Sequence, residues 1–253
     1  MATAFEHLMI EWSTGLLWIV QQILFQVPLM ENYFWMVTVF TALVMVAEWC
    51  IPWRTDQHFF RKDWFTDLMY MYANIFLFAV LLDGLYTLFS MVLPSYGQFT
   101  NLGNAHWVIQ LVVLFMLQDF LQWCIHRVLH SNTFLWRFHQ IHHSVEEMGV
   151  SSHFRYHWME NVLYKPSKMA ALSLFGGIEP KLAILVHLGT LVIGHLNHAN
   201  LKLDFGPLKY LFNSPTMHLL HHSKSHLARG GVNFGLSLSC CLLYTSPSPR
   251  DIG

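Results

Sequence analysis

HWVIQLVVLFMLQDFLQWCIHRVLH, residues 106–130, decides the fold. Its first twenty residues form one apolar run, and about 20 such residues suffice to cross a bilayer as a helix. The run leads without a break into His126 and His130. An i,i+4 pair shares one helix face, so this span delivers two imidazoles together to a membrane surface. Two further spans precede it. One runs from about Tyr33 to Ile51 and is closed by Pro52; the other runs from about Leu68 to Leu93 and ends at Pro94. An earlier apolar stretch, Leu16 to Met30, holds Gln21, Gln22 and Gln26, and either spans or lies in the interface.

Composition agrees with a membrane chain. Of 253 residues, 54% are hydrophobic and 11% charged, against about 25% charged in soluble domains. A net charge of −1 gives no reason to expect nucleic acid as a partner. Four cysteines without CxxC spacing argue against a disulfide scaffold or a thiolate zinc site. The N-terminus lacks a basic n-region, so no cleavable signal peptide is expected. Apart from Arg250, every Lys and Arg lies in 54–62 or 127–229. By the positive-inside rule these regions are cytoplasmic, and the loop Pro94–Ala105 is outside.

The segment Lys168–His198 raises a problem of parity. A single span there would carry the later histidines across the bilayer from the earlier ones. Gly176-Gly177-Ile178-Glu179-Pro180 is a strong turn signal in its middle. The halves, about Met169–Phe175 and Leu182–Ile193, therefore read as a hairpin that dips in and returns. The fold expected is an all-α integral membrane helical bundle of about four membrane helical units, with a histidine-rich metal site on the cytoplasmic side. It divides into an N-terminal apolar or interfacial segment (1–31), transmembrane helices (32–125), a histidine-box region (126–235) and a tail (236–253). CLLYTSPSPRD, Cys241–Asp251, resembles one reading frame of a sequencing-library adapter, and on that ground 236–253 reads as non-native.

Fourteen of the 17 histidines fall between His126 and His226. After HxxxH at His126 and His130 comes HxxHH at His139, His142 and His143. His195 and His198 follow at i,i+3, and a second HxxHH stands at His218, His221 and His222. On a helix, each HxxHH brings three rings within reach of one point. Neutral imidazole is the commonest nitrogen ligand for zinc, copper, iron and nickel, and about ten clustered rings suggest two ions. His7, His58, His106, His187 and His226 read as interfacial or hydrogen-bonding residues, and His153 as a surface residue.

HRVLH, HQIHH, FRYHWME, NHAN and HLLHH, in that order, resemble the fatty acid hydroxylase and sterol desaturase superfamily of integral membrane di-iron oxygenases. The resemblance covers about Glu48 to Gly235. It implies a helical membrane domain whose histidines hold two irons, with zinc possible in the purified protein and O2 as co-substrate. By position the ligands are His126, His130, His139, His142, His143, His198, His218, His221 and His222. His195 fits the spacing, and His157 matches a histidine of an RxHPxE-like segment in which Trp158 replaces the proline. His157 either completes the shell or shapes its loop. The family continues past the last box through a segment with a Trp-Asp pair, which this chain lacks after Gly235.

A carboxylate at membrane depth costs roughly 2.5–3.5 kcal/mol on insertion scales and needs a partner. Asp119, two turns before His126, is expected to accept a proton from a ligand histidine and fix its tautomer, or else to bond a neighbouring helix. Glu160 has the same reading, with a solvated loop charge as the alternative. Asn197 and Asn200 either order the same shell or cap a local turn.

An unactivated C–H bond needs an oxidant that no side chain supplies, so a redox metal and O2 must carry the reaction. Hydroxylation and desaturation of a membrane lipid both begin with removal of a hydrogen atom. No heme-binding segment and no flavin- or nucleotide-binding motif is visible. The electrons are therefore expected from a separate donor, of cytochrome b5, ferredoxin or reductase type, and a bacterial inner membrane fits better than the endoplasmic reticulum. A histidine-rich metal carrier and a zinc-filled, non-catalytic relative are the competing classes.

Overall fold

The computed structural model describes residues 4–90, 102–174, 178–223 and 233–239. It is all-helical, with no strand among the described residues. Helix α1 covers Ala4–Ile23, α2 Tyr33–Cys50, α3 Trp64–Tyr72, α4 Phe78–Ser90 and α5 Trp107–Ser131. Then come α6 Thr133–His139, α7 Met159–Leu174, α8 Pro180–His198 and α9 Pro215–His221.

Among the described residues, three helices are long and apolar enough to cross a membrane: Tyr33–Cys50, Trp64–Thr87 and Trp107–Ser131. The protein is a membrane protein. Leu43, Val46, Val112 and Met116 stand exposed on these helices, as side chains that meet lipid do. The third span runs past its expected end at Ile125 to Ser131, so His126 and His130 sit on the span's own last turns.

Helix α1 does not meet the same test of length and hydropathy; it lies along α4. Trp12 Nε1 donates to the Leu81 carbonyl at 3.0 Å. Gln22, one of the glutamines that left this stretch undecided, is buried in the turn to α2. Its Oε1 accepts from Phe34 N at 2.7 Å, and its carbonyl accepts from the Asn32 side chain. Asn32 in turn caps α2 by accepting from Trp35 N.

The second span is interrupted by one π turn, Ala73–Leu77. The widened turn places Asn74 against the chain that enters α7. Its Nδ2 donates to the carbonyls of Phe154 (2.9 Å) and Tyr156 (2.8 Å), and its Oδ1 accepts from Asn161. Such turns often mark functional regions.

Helices α7 and α8 both pack on α5, around Leu114, Ala171 and Val186. The two halves of the expected hairpin are thus longer than the apolar pattern indicated; Gly176 and Gly177 lie outside the described residues. At the other end of α8, Glu48 on α2 gathers two loops. Its Oε1 accepts from Val150 N at 2.9 Å and Asn200 N at 2.6 Å. Asn200 also holds the basic loop, accepting from Arg54 N and Nε. Residues 54–62 and both histidine regions therefore share one end of the molecule.

Residues 236–239, which the sequence reading sets with the tail, are folded in. Asn213 N donates to the Ser237 carbonyl (2.8 Å), Ser239 N to Leu211 (2.9 Å), and Asn197 Nδ2 to Leu236 (2.7 Å). The boundary placed after Gly235 thus falls inside an ordered strap over α5. Residues 240–253, with the adapter-like stretch, lie outside the described residues.

Candidate metal centre

Among the described residues, nine imidazoles converge in two adjoining groups. His126, His130, His139, His143 and His221 form one; His142, His198, His218 and His222 form the other, and within each group the ring nitrogens lie within 4.8 Å of one another. The groups touch: the His143 and His222 rings stack with centroids 4.4 Å apart.

The boxes do not act as three rings on one point. Helix α6 stops at His139, and His142–Ser144 is a tighter 3-10 turn. His139 and His143 go to one group and His142 to the other. The second box divides the same way, with His218 and His222 together and His221 in the opposite group. In each HxxHH the outer pair serves one group and the middle ring crosses to its neighbour, which ties the two groups into one unit.

Three rings have their tautomer set by what faces Nδ1. The carbonyls of Phe234 (2.8 Å from His126), Gly194 (2.8 Å from His198) and Arg155 (3.3 Å from His142) can only accept, so each of these Nδ1 atoms carries the hydrogen. The Glu160 carboxylate stands 3.1 Å from His139 Nδ1, near enough to pair though not aligned as a hydrogen bond. A neutral ring with its hydrogen on Nδ1 has a bare lone pair on Nε2. Yet His142 Nε2 faces His198 Nε2 at 3.3 Å, with the hydrogens of both rings on Nδ1. Converging lone pairs repel unless a cation lies between them. Two nitrogens about 2.1 Å from one ion, at right angles, are about 3 Å apart, so the donor set fits a bound transition metal.

Burial holds His139, His142, His143, His218 and His222 well below the usual imidazole range, and neighbouring imidazoles push the same way. The rings are therefore in the neutral form that binds metal. Burial also pushes the Glu160 carboxyl well above its ordinary range. The Glu160–His139 contact is thus a neutral pair until a cation on the far side of the ring draws charge onto the carboxylate.

Several expected roles fall elsewhere. Among the described residues Asp119 touches no histidine: its carboxylate accepts from the backbone of Ser237 (2.9 Å) and Leu238 (3.1 Å). It anchors the strap whose Phe234 carbonyl holds His126, so its partner is backbone rather than a ring. His195 lies outside both groups, with Nε2 on Thr41 Oγ1 (3.0 Å) and Nδ1 near His153 (2.9 Å). His157 is outside them too; its Nδ1 accepts from Met159 N at 3.1 Å and caps the entry to α7. His153, read as a surface residue, is instead wedged between His195 and His198. Asn197 and Asn200 hold the strap and the Arg54 loop rather than His198.

Glu48 and the set formed by Arg61, Asp67 and Arg155 were not singled out from the sequence. Asp67 pairs with Arg155 at 3.1 Å and Arg61 at 3.4 Å, and Arg61 also bonds Ser151. Their signal was present, because carboxylates within apolar spans demand partners.

A cavity of about 130 Å³ lies against His126, His139, His142, His198 and His218. A larger one, about 720 Å³, opens between α1, α4, α7 and α8. The two adjoin, sharing the walls Phe154, Tyr156, Asn161, Tyr164, Lys168 and His187, so only side chains stand between the space in the helix bundle and the imidazoles.

Fold and cluster together define an all-helical membrane protein with a two-part imidazole centre at one end of its spans. The chain belongs to the fatty acid hydroxylase family, whose model matches residues 111–241, more than half its length. It is 34% identical over 171 residues to the ornithine lipid hydroxylase OlsE of Rhizobium tropici, covering 63% of this chain and 50% of that one. Alkylglycerol monooxygenase of Caenorhabditis elegans is 30% identical over 113 residues, 43% of this chain and 21% of the relative. The human alkylglycerol monooxygenase is 26% identical over 173 residues, 68% and 33% respectively. The chain spans half or less of the length of these relatives. No solved structure matches.

Proposed function

We propose that this chain is a membrane-bound di-iron oxygenase that hydroxylates a lipid C–H bond with O2 and electrons from a separate donor protein. The observation that carries the reading is the convergence of nine imidazoles among the described residues into two touching groups, three of them with Nδ1 already committed to a carbonyl. Membership of the hydroxylase family, and relatives named as lipid hydroxylase and monooxygenase, support it. Bound iron would supply the oxidising power that side chains lack.

The chain's own residues do the rest. His126, His130, His139, His143 and His221 would hold one ion, and His142, His198, His218 and His222 the other. Glu160 and the carbonyls of Phe234, Arg155 and Gly194 fix ring orientation and raise ligand basicity. Asp119 and Asn197 pin the strap that covers this end, which keeps bulk water from the histidines. The two adjoining cavities would admit a lipid from the bundle side. The basic loop 54–62, lying against the histidine end through Arg54, favours a cytoplasmic position for the centre. Desaturation is a close variant, because it shares the first hydrogen abstraction. A metal carrier fits less well: its ligands would be spaced along a path through the spans, whereas these gather at one end.

Lipid profiling of cells expressing the protein, beside a His142→Ala control, tests the reading. A new oxygenated or unsaturated lipid is expected, absent from the control. Identical profiles would count against catalysis.

A further inference from the structure

Lys168 lines both cavities, on the wall that they share. Its neighbour Lys165, one turn earlier on α7, is neutralised by the Asp83 carboxylate and also donates to the Ala79 carbonyl at 2.8 Å. Lys168 has no such partner. Among the described residues no carboxylate and no hydrogen-bond acceptor meets its ammonium; the charged and titratable groups that feel it are Lys165, His187 and His153. A half-buried cation without a counter-charge is costly, and the bundle nevertheless places one on the wall between the larger cavity and the space beside the imidazoles.

The wall around it is polar as well. Tyr156, Tyr164, Asn161 and His187 are part of it. Trp18, Ile75, Phe76 and Val80 line the larger cavity behind it. The space beyond, about 130 Å³, matches roughly four waters at ~30 Å³ each. An apolar chain suits the larger cavity, and only a small group fits in the space beside the imidazoles.

We propose that Lys168 seats the anionic group, a carboxylate or phosphate ester, of an amphiphilic substrate whose chain fills the larger cavity and whose head end reaches the histidines. This deepens the oxygenase reading by choosing the head end over the chain terminus as the reacting part. The seat is a binding property, however, and needs no turnover.

The test uses the whole protein in neutral-detergent micelles at mildly alkaline pH. Dodecanoate, dodecyl phosphate and dodecanol, each with a terminal bromine, are titrated against tryptophan fluorescence; Trp18 in the cavity wall reports the bromine. At least one anion should bind on the order of tenfold more tightly than the alcohol, as expected for a charge-assisted hydrogen bond. Whichever anion wins identifies the head chemistry. Lys168→Met should abolish the preference and leave alcohol binding unchanged, and Lys168→Arg should keep it. Equal binding of all three probes to the unaltered protein overturns the proposal, as does a preference that survives in Lys168→Met. The first comparison needs no variant, so a variant that fails to fold leaves the test intact. An unchanged lipid profile would refute the oxygenase reading while leaving this binding result standing, so the two failures are distinguishable.

Discussion

Replacing Asp119 by Asn separates two accounts of a buried carboxylate. In the structure both oxygens are used, one accepting from Ser237 N at 2.9 Å and the other from Leu238 N at 3.1 Å. Hydrogen bonds to a charged group contribute about 1.5–3 kcal/mol each, and an orphaned buried donor costs about 1–3 kcal/mol. Asparagine keeps one acceptor and turns an NH2 group towards the other amide. The strap should therefore be weakened by about 2–4 kcal/mol, an opening equilibrium larger by about 30-fold or more. Hydrogen–deuterium exchange reads this directly, because amide protection follows local opening. Faster exchange is expected at Ser237 and Leu238, with a smaller effect along α9. Since the strap's Phe234 carbonyl fixes His126, metal retention should fall as a consequence. If metal is lost while exchange at 237 and 238 stays as in the parent protein, Asp119 acts on a histidine and the structural account is wrong.

Three further outcomes follow from the same geometry. Glu160→Gln keeps an acceptor beside His139 Nδ1 but removes the charge, so chelator competition should show metal held about 10–100-fold more weakly; unchanged affinity would remove Glu160 from the account. His157→Ala and His195→Ala should retain metal, whereas His142→Ala and His221→Ala should lose it, because only the latter pair belongs to the two groups. Metal-free protein should lose stability on acidification: rings held below the ordinary value of 6.5 bind fewer protons folded than unfolded. Their sign makes stability complete above that value and falling below it, by up to about 1.4 kcal/mol per pH unit for each ring. Glu160, pushed upward, works in the opposite sense. Thermal unfolding in detergent across this range checks it, and a flat profile would contradict it.

The spans and the imidazole boxes were legible because each is a local pattern. An apolar run closed by proline marks α2, and HxxxH at the end of another marks α5. The division of HQIHH between two groups was not legible, because it depends on α6 stopping at His139 and the chain tightening after it. Helical spacing predicted three rings on one point. Asp119 was correctly seen to need a partner, but its partner is the backbone of a segment more than a hundred residues later, which no spacing rule reaches. His157 and His195 carry the right residue type near the right place, and tertiary contacts with Met159 and Thr41 employ them otherwise. Glu48 could have been found by the reasoning applied to Asp119. It is a carboxylate inside an apolar span, and it caps the two loops that bring the histidine regions together.

Counting metal in the purified protein tests the central claim most directly, since everything else depends on the two groups being ion sites. Protein produced in iron-rich medium should carry two irons per chain, with X-ray absorption showing nitrogen-dominated coordination at both. A single zinc per chain, or a preparation that takes up no metal while remaining folded, would contradict it.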